Sequence, residues 1–222
     1  DGNAVDSADG HAFDFAVHEK PFLSENEQEK ERFTKQIEFL VEMDKMKNIR
    51  RMTRVLHEDR AENDAEHAWH LAMLALVLSE YANEPVDLKT VVATVLIHDV
   101  VEIDAGDTYA YDTEGYKTKE AREKQAADRL FGMLPEDQGT YLRRLWDEFE
   151  AQSTPEARFA DSLDRVQPLL LNYCKHGETW VQNGIRHEQV TARNQKTYEG
   201  SKVLGDLAME LIRRATEEGL LK

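Results

Sequence analysis

The stretch Thr94-Val95-Leu96-Ile97-His98-Asp99-Val100-Val101-Glu102 decides how the rest of the chain is read. It is a nearly all-apolar helical run carrying a histidine and an aspartate side by side, with a glutamate one turn on. Burying that much ionisable surface is costly unless something pairs with it, and metal coordination is one such partner. A lone His-Asp pair proves little, because adjacent helical residues point about 100° apart. Its weight comes from what the neighbouring helices bring. The run itself predicts a buried helix from about Val86 to Ile103, stopped by Ala105-Gly106.

Upstream, Asn63-Asp-Ala-Glu66 has the spacing of a reciprocal N-terminal cap. The helix it opens is apolar almost all round from Leu71 to Leu78, which reads as a buried central helix. Ser24 and Glu27 have capping-box spacing for a helix from about Glu25 to Ile49, with Phe33, Ile37, Leu40 and Val41 on one stripe. Between these two helices, Arg50 to Asn63 breaks the pattern and gathers Arg50, Arg51, Arg54 and Arg60; it reads as a helix end and a loop.

Downstream comes a tyrosine-rich loop over 107–116, then an amphipathic helix from Lys117 to Leu134 and a helix opened by Pro135 and running to about Ala151. Thr154-Pro155 repeats the start signal for a helix to about Lys175, with Pro168 predicting a kink. A segment around Trp180 leads to a last helix from near His187 to Glu218. Trp69, Trp146 and Trp180 read as core. No strand alternation stands out, so the expected fold is all-α: a single-domain helical bundle over 26–222 behind a flexible polar arm, 1–25.

A net charge of −16 over 222 residues excludes duplex nucleic acid and anionic membrane as partners, since both repel such a field. Any phosphate ligand must be small and met by a local cation or metal. Cys174 is the single cysteine, so there is no disulfide framework and no thiolate zinc site, which fits a reducing, cytoplasmic setting. No apolar run approaches the roughly 18 residues of a membrane span, and no basic-then-apolar start marks a signal peptide.

Four ionisable residues fall on inward faces of three expected helices: His67, His98, Asp99 and Asp164. Two imidazoles and two carboxylates make a mixed nitrogen–oxygen donor set suited to Mn, Fe, Co, Ni or Zn. Each has a plainer reading. His67 alone is equally a histidine packed at a helix start, and Asp164 alone is a salt-bridge partner for Arg165 or Arg158. Asp161 competes with Asp164, although its helical angle sits nearer the polar side. His70, on the face of His67, reads as a core histidine ahead of the alternative, a partner that supports the ligands, and Glu66 reads as a cap. Taken together, the order His … His-Asp … Asp on helices is hard to explain as packing.

That order resembles the HD-domain metal-dependent phosphohydrolase superfamily, named for its His-Asp doublet, and within it the 5′-deoxynucleotidase-like branch. The resemblance is carried by Asp44-Lys-Met-Lys47 leading to Arg51, by Arg60-Ala-Glu-Asn-Asp-Ala-Glu-His67-Ala-Trp69 and by Leu96-Ile-His-Asp-Val-Val-Glu102-Ile-Asp-Ala-Gly-Asp107. Leu134-Pro135, Leu145-Trp-Asp-Glu-Phe-Glu150 and Glu156-Ala-Arg-Phe-Ala-Asp-Ser-Leu-Asp164 complete it. It runs from about residue 36 to 175 and leaves 176–222 as a C-terminal helical extension.

The resemblance implies that His67, His98, Asp99 and Asp164 hold one divalent transition metal (Mn, Co, Ni, Fe or Zn). Glu102 would be the catalytic glutamate that orients or deprotonates the attacking water. Asp107 would recognise the sugar and protonate the leaving oxygen. Arg51 would bind phosphate, with Arg50 or Arg54 as alternates because the match needs a small gap before Arg60. Two-metal relatives supply extra histidines between the doublet and the last aspartate; this chain has none between Asp99 and Asp164.

The implied substrate is a small phosphomonoester, foremost a nucleoside 5′-monophosphate. The alternatives are another phosphorylated metabolite or a non-catalytic nucleotide-binding module. Tyr109, Tyr111 and Tyr116 read as a base-binding rim or a dimer contact. The branch implies a homodimer, and Leu204, Leu207, Met209 and Leu211 form a stripe that serves either that contact or the chain's own core.

Overall fold

The computed structural model describes residues 26–112 and 114–222; the expected arm, 1–25, and Ser24 of the expected capping box lie outside them. Helix α1 (Glu27–Met43) starts behind Asn26, whose side chain accepts from the Gln28 N–H at 3.0 Å. A 3₁₀ turn, Asp44–Asn48, finishes it.

The arginine-rich segment departs from the expected loop. It forms a short antiparallel ribbon, β1 (Arg50–Arg54) with β2 (Ala61–Asn63), irregular in register between its two paired ends. Strands of this length, carrying more charge than apolar surface, have no room to display a period of two. Arg60 ties the ribbon to the next helix through a two-pronged ion pair with Glu66, at 2.7 and 2.8 Å.

Helix α2 (Asp64–Leu78) begins as expected: Asn63 accepts from the Glu66 N–H at 2.9 Å, and Glu66 accepts in return from the Asn63 N–H at 3.1 Å. It is not buried all round. Leu71 and Ala75 are sealed, but Met73, Leu76 and Val77 are exposed and Trp69 is 64% exposed, against the core role expected for it. α2 packs chiefly on one side, against α3 (Leu88–Ile97) and the helix Pro155–Cys174; the apolar residues of its other side are exposed among the described residues.

Helix α3 ends earlier than expected. Residues 98–101 form tight turns, and α4 (Glu102–Ala105) is a single separate turn. His98 is thus the residue capping α3 rather than a mid-helix residue, with its Nδ1 on the Val95 carbonyl at 2.9 Å. The Glu102 N–H meets the Asp99 carbonyl three residues back, so the doublet and the glutamate stay on one wound segment. Gly106 ends it at φ 74°, a conformation that favours glycine, and turns the chain into the tyrosine loop.

Helices α5 (Tyr116–Gly132), α6 (Glu136–Ala151) and α7 (Pro155–Cys174) follow near their expected bounds. Thr154 caps α7 by accepting from the Ala157 N–H at 3.1 Å, and α7 continues past Pro168. After α8 (Glu178–Asn183), the single last helix expected from 187 to 218 is three: α9 (His187–Asn194), α10 (Thr197–Gly200) and α11 (Lys202–Glu217). Ser201, extended at φ −153°, breaks the run and caps α11. The break lets α10 lie directly on α7, where a Cβ on Gly200 would strike the Arg158 carbonyl.

Helix α7 is the axis of the molecule, packed by α2, α3, α6, α10 and α11. Phe159, Leu163 and Val166 on it meet Leu71, Val91, Val95 and Ile212 in the larger core. A second core joins Ile97 and Val101 to Leu130, Phe131, Leu145 and Trp146. Leu204 and Leu211 are buried in the first core with Met209 packed against it, so the C-terminal stripe closes the chain on itself; Leu207 stays exposed.

Candidate metal centre and its cavity

The four residues of the expected quartet meet between α2, the end of α3 and α7. His67 Nε2 lies 2.9 Å from Asp164 Oδ1 and 3.8 Å from Asp99 Oδ2; His98 Nε2 lies 3.1 Å from Asp99 Oδ2 and 3.7 Å from Asp164 Oδ1. Ligand bonds of about 2.1 Å would set neighbouring donor atoms about 3.0 to 3.4 Å apart in octahedral or tetrahedral geometry. The four separations bracket that range, so the donors fit a first-row divalent ion.

Each imidazole is held in the tautomer that ligation needs. His98 Nδ1 faces a backbone carbonyl, an acceptor only, so a ring proton stays there and Nε2 is the nitrogen that meets a metal once it has given up its own proton. His67 Nδ1 donates to the Gln167 side-chain oxygen at 3.1 Å, with the same result. The Gln167 amide in turn donates to Glu62 at 2.7 Å and reaches His70 at 3.2 Å. Gln167, fully buried on α7, went unnoticed in the sequence, although a glutamine three residues past Asp164 among leucines and valines is its one signal. His70 is only half-buried and joins the quartet through Gln167 rather than packing as plain core.

The plainer readings fail on partners. Arg165 binds Asp161 at 2.6 and 3.0 Å, and Arg158 reaches Glu84 at 2.8 Å, so neither neutralises Asp164. Asp161, expected nearer the polar side, is buried by that pairing.

The electrostatics divide the two histidines. Burial, reinforced by Arg51, lowers His67 to about 4, so this ring is neutral. Burial acts the same way on His98, but the carboxylates of Asp99 and Asp164 beside Nε2 outweigh it and push it up to about 10. Both aspartates are held below the usual carboxylate range, since the attraction of the imidazoles, joined at Asp99 by Arg51, exceeds the opposing cost of burial.

Glu102 is buried beside Asp64 and Asp99, with one carboxylate oxygen lacking a hydrogen-bond partner among the described residues. Burial, then the neighbouring charges of Asp99 and Asp64, raise it well above its ordinary value. Asp64 and Glu62, both buried, are each pushed up to about 7, chiefly by desolvation. Neither was singled out in the sequence, where they look like parts of a helix cap. Asp107, just past Gly106, lines the cavity and is also raised, chiefly by burial.

Among Arg50, Arg51 and Arg54, Arg51 alone lines the cavity. Its Nη1 binds Asp99 at 2.6 Å and Asp64 at 3.2 Å, and its Nε lies 3.9 Å from Glu62. Arg50 is exposed, and Arg54 pairs with Asp59 and Glu178. The cavity holds about 350 Å³ and opens beside Asp99 and Glu102. Tyr109 and Tyr111, edge to face at 5.3 Å, line it with Tyr116, Phe149 and Trp180. The aromatic loop therefore borders the site.

Residues 43–204 match the family model described as HD domain. The chain is 32% identical over 111 residues to the "5'-deoxynucleotidase HDDC2" of Bos taurus, covering 50% of this chain and 53% of that protein, and 31% identical over 111 residues to its Homo sapiens counterpart, with the same shares. It thus spans about half the length of these curated relatives. A crystal structure of a "Predicted metal-dependent phosphohydrolase" from Magnetospirillum magnetotacticum MS-1 is similar at 47% identity and a TM-score of 0.83, covering 86% of this chain and 96% of that one. A conserved hypothetical protein from Pyrococcus furiosus, 19% identical over 80% of this chain and 99% of its own, shares the fold at a TM-score of 0.57.

Proposed function

The chain belongs to the HD-domain phosphohydrolase family, and from that premise we propose that it removes phosphate from nucleoside 5′-monophosphates. The observation that carries this reading is the convergence of two imidazole Nε2 atoms and two aspartates next to the buried Glu102. The relatives named 5'-deoxynucleotidase support the substrate class.

In this mechanism His67, His98, Asp99 and Asp164 hold the divalent metal. When bound, it polarises phosphate oxygens and brings the pKa of water toward neutrality. In its ionised form Glu102 would accept the proton of the water that attacks phosphorus in line, and the burial and neighbouring carboxylates that raise it favour keeping that proton. Asp107, raised by burial, would hand a proton to the departing sugar oxygen. Arg51 offers a planar guanidinium to the phosphate while bracing Asp99. Tyr109 and Tyr111 supply flat faces for the nucleoside. The protein works as a homodimer in this reading, supported by the uncovered Trp69, Met73, Leu76 and Val77 stripe of α2.

The test is phosphate release from metal-stripped protein, with Mn, Co, Ni, Zn or Mg added back singly over a panel of ribo- and deoxyribonucleoside 5′-monophosphates and sugar phosphates. Turnover of nucleotides restored by a transition metal is the expected result. In the same assay Glu102→Gln should lose about 10²- to 10⁴-fold in kcat while still binding metal. Intact turnover in that variant overturns the role of Glu102, and turnover confined to sugar phosphates moves the substrate to another phosphomonoester.

A further inference from the structure

Among the described residues, five cations line the cavity; Lys196 is exposed to solvent, and the other four are not equally free to meet an anion. Arg51 is committed to Asp99 and Asp64, with Glu62 nearby. Lys119 pairs with Glu123 at 2.9 Å. Arg165 grips Asp161 with two nitrogens and spends a third on the Arg193 carbonyl at 2.8 Å. A phosphate entering here carries up to two negative charges into a site already lined by Asp99, Glu102, Asp107, Asp161 and Asp164. One engaged guanidinium is a poor match for that.

Arg193 is placed differently. It sits at the end of α9, in the C-terminal extension outside the stretch that carried the family resemblance, and it lines the same cavity. Its side chain is 24% exposed, and Nη2 lies 3.9 Å from Asp164 Oδ2. No hydrogen bond engages its guanidinium among the described residues. Arg165 anchors its backbone carbonyl to α7, so the base of the side chain is fixed while its five donors stay open. Its charge is felt by Asp161, Tyr109 and Tyr111, which locates it between the carboxylates and the aromatic rim.

We propose that Arg193 joins Arg51 in recognising the substrate's phosphate group, from the Asp164 side of the site. This assignment rests on the phosphohydrolase reading above. Asp164 is close enough to orient the guanidinium but too far to saturate it, and a planar fork suits two phosphate oxygens at once. Arg51, by contrast, mainly balances Asp64 and Asp99. The C-terminal extension thereby becomes part of the substrate site and not only a cover for the core.

Arg193→Ala and Arg193→Lys, loaded with the restoring metal, test this by steady-state kinetics and by inhibition with inorganic phosphate. Metal content and thermal melting are measured on the same samples. A lost charge-assisted contact predicts KM and the phosphate inhibition constant both raised about 10- to 100-fold in Arg193→Ala. The change in kcat should be much smaller, the metal content unchanged, and Arg193→Lys should recover part of the loss. KM and phosphate inhibition within twofold of the parent overturn the assignment. So does loss of metal from Arg193→Ala, which would make Arg193 a brace for Asp164. Should the parent protein turn over no phosphomonoester, the proposed function fails on its own. Calorimetric binding of inorganic phosphate to the metal-loaded parent and to Arg193→Lys then decides the role of Arg193 separately.

Discussion

His98 shows how much one neighbour changes a side chain. It faces the same two carboxylates as His67, yet burial with Arg51 lowers His67 to about 4, while Asp99 and Asp164 outweigh burial at His98 and it holds its proton up to about 10. A metal has to displace that proton. His67 at about 4 has none to lose near neutrality, and both aspartates are already ionised. Metal binding should therefore release at least one proton, and apparent affinity should fall at least about tenfold for each pH unit from 9 down to 7. Titration of the stripped protein with Mn at three pH values measures the slope, and a flat profile refutes it. The linkage to stability has the opposite sense. With its folded pKa raised, His98 stabilises the metal-free fold fully below about 6.5, and that contribution is lost as pH rises through about 10.

At the scale of elements, the C-terminal half is organised by where helices stop. The uninterrupted helix expected from 187 to 218 would carry its residues away from α7; the break at Ser201 folds α10 back onto it. Gly200 permits the approach, and the Ser162 hydroxyl donates to the Thr197 carbonyl at 2.9 Å to fasten it. Gly200→Ala should cost about 1 to 3 kcal/mol through overpacking against the Arg158 carbonyl, read as a lower urea midpoint with unchanged slope. An unaltered midpoint would show that α10 can shift without cost. The same logic explains the end of α3. The turns after Ile97 stop α3 at His98 and keep Asp99 and Glu102 wound close behind it, with the Glu102 N–H on the Asp99 carbonyl.

For the molecule as a whole, the site is a knot of like charge tied between two cores. Glu62, Asp64, Asp99, Glu102 and Asp164 crowd one region, and Arg51 offsets only part of that charge. A bound divalent ion should accordingly stabilise the fold. At a hundredfold excess over Kd the gain is about 2.7 kcal/mol, or about 5 to 10 °C in Tm for a chain of this size. Melting with and without a chelator measures it. No shift with any transition metal would count against the quartet as a metal site.

Sequence by itself determined the all-helical class, the capped starts of α2 and α7, and the four candidate ligands with Glu102. Those features are written in local spacing and in ionisable residues set among apolar ones, which cost too much to bury without purpose. Tertiary structure alone decided the rest. The ribbon of β1 and β2 is too short to show a period, and it is what carries Arg51 to Asp99. Trp69 is exposed because burial depends on which face finds a partner, not on hydrophobicity alone. Gln167 and Arg193 look like ordinary polar residues of a helix until folding sets one against His67 and the other beside Asp164, contacts spanning 100 residues in the first case. Spacing encodes what a segment can become, and only the packing of distant segments decides which side chains share a charge.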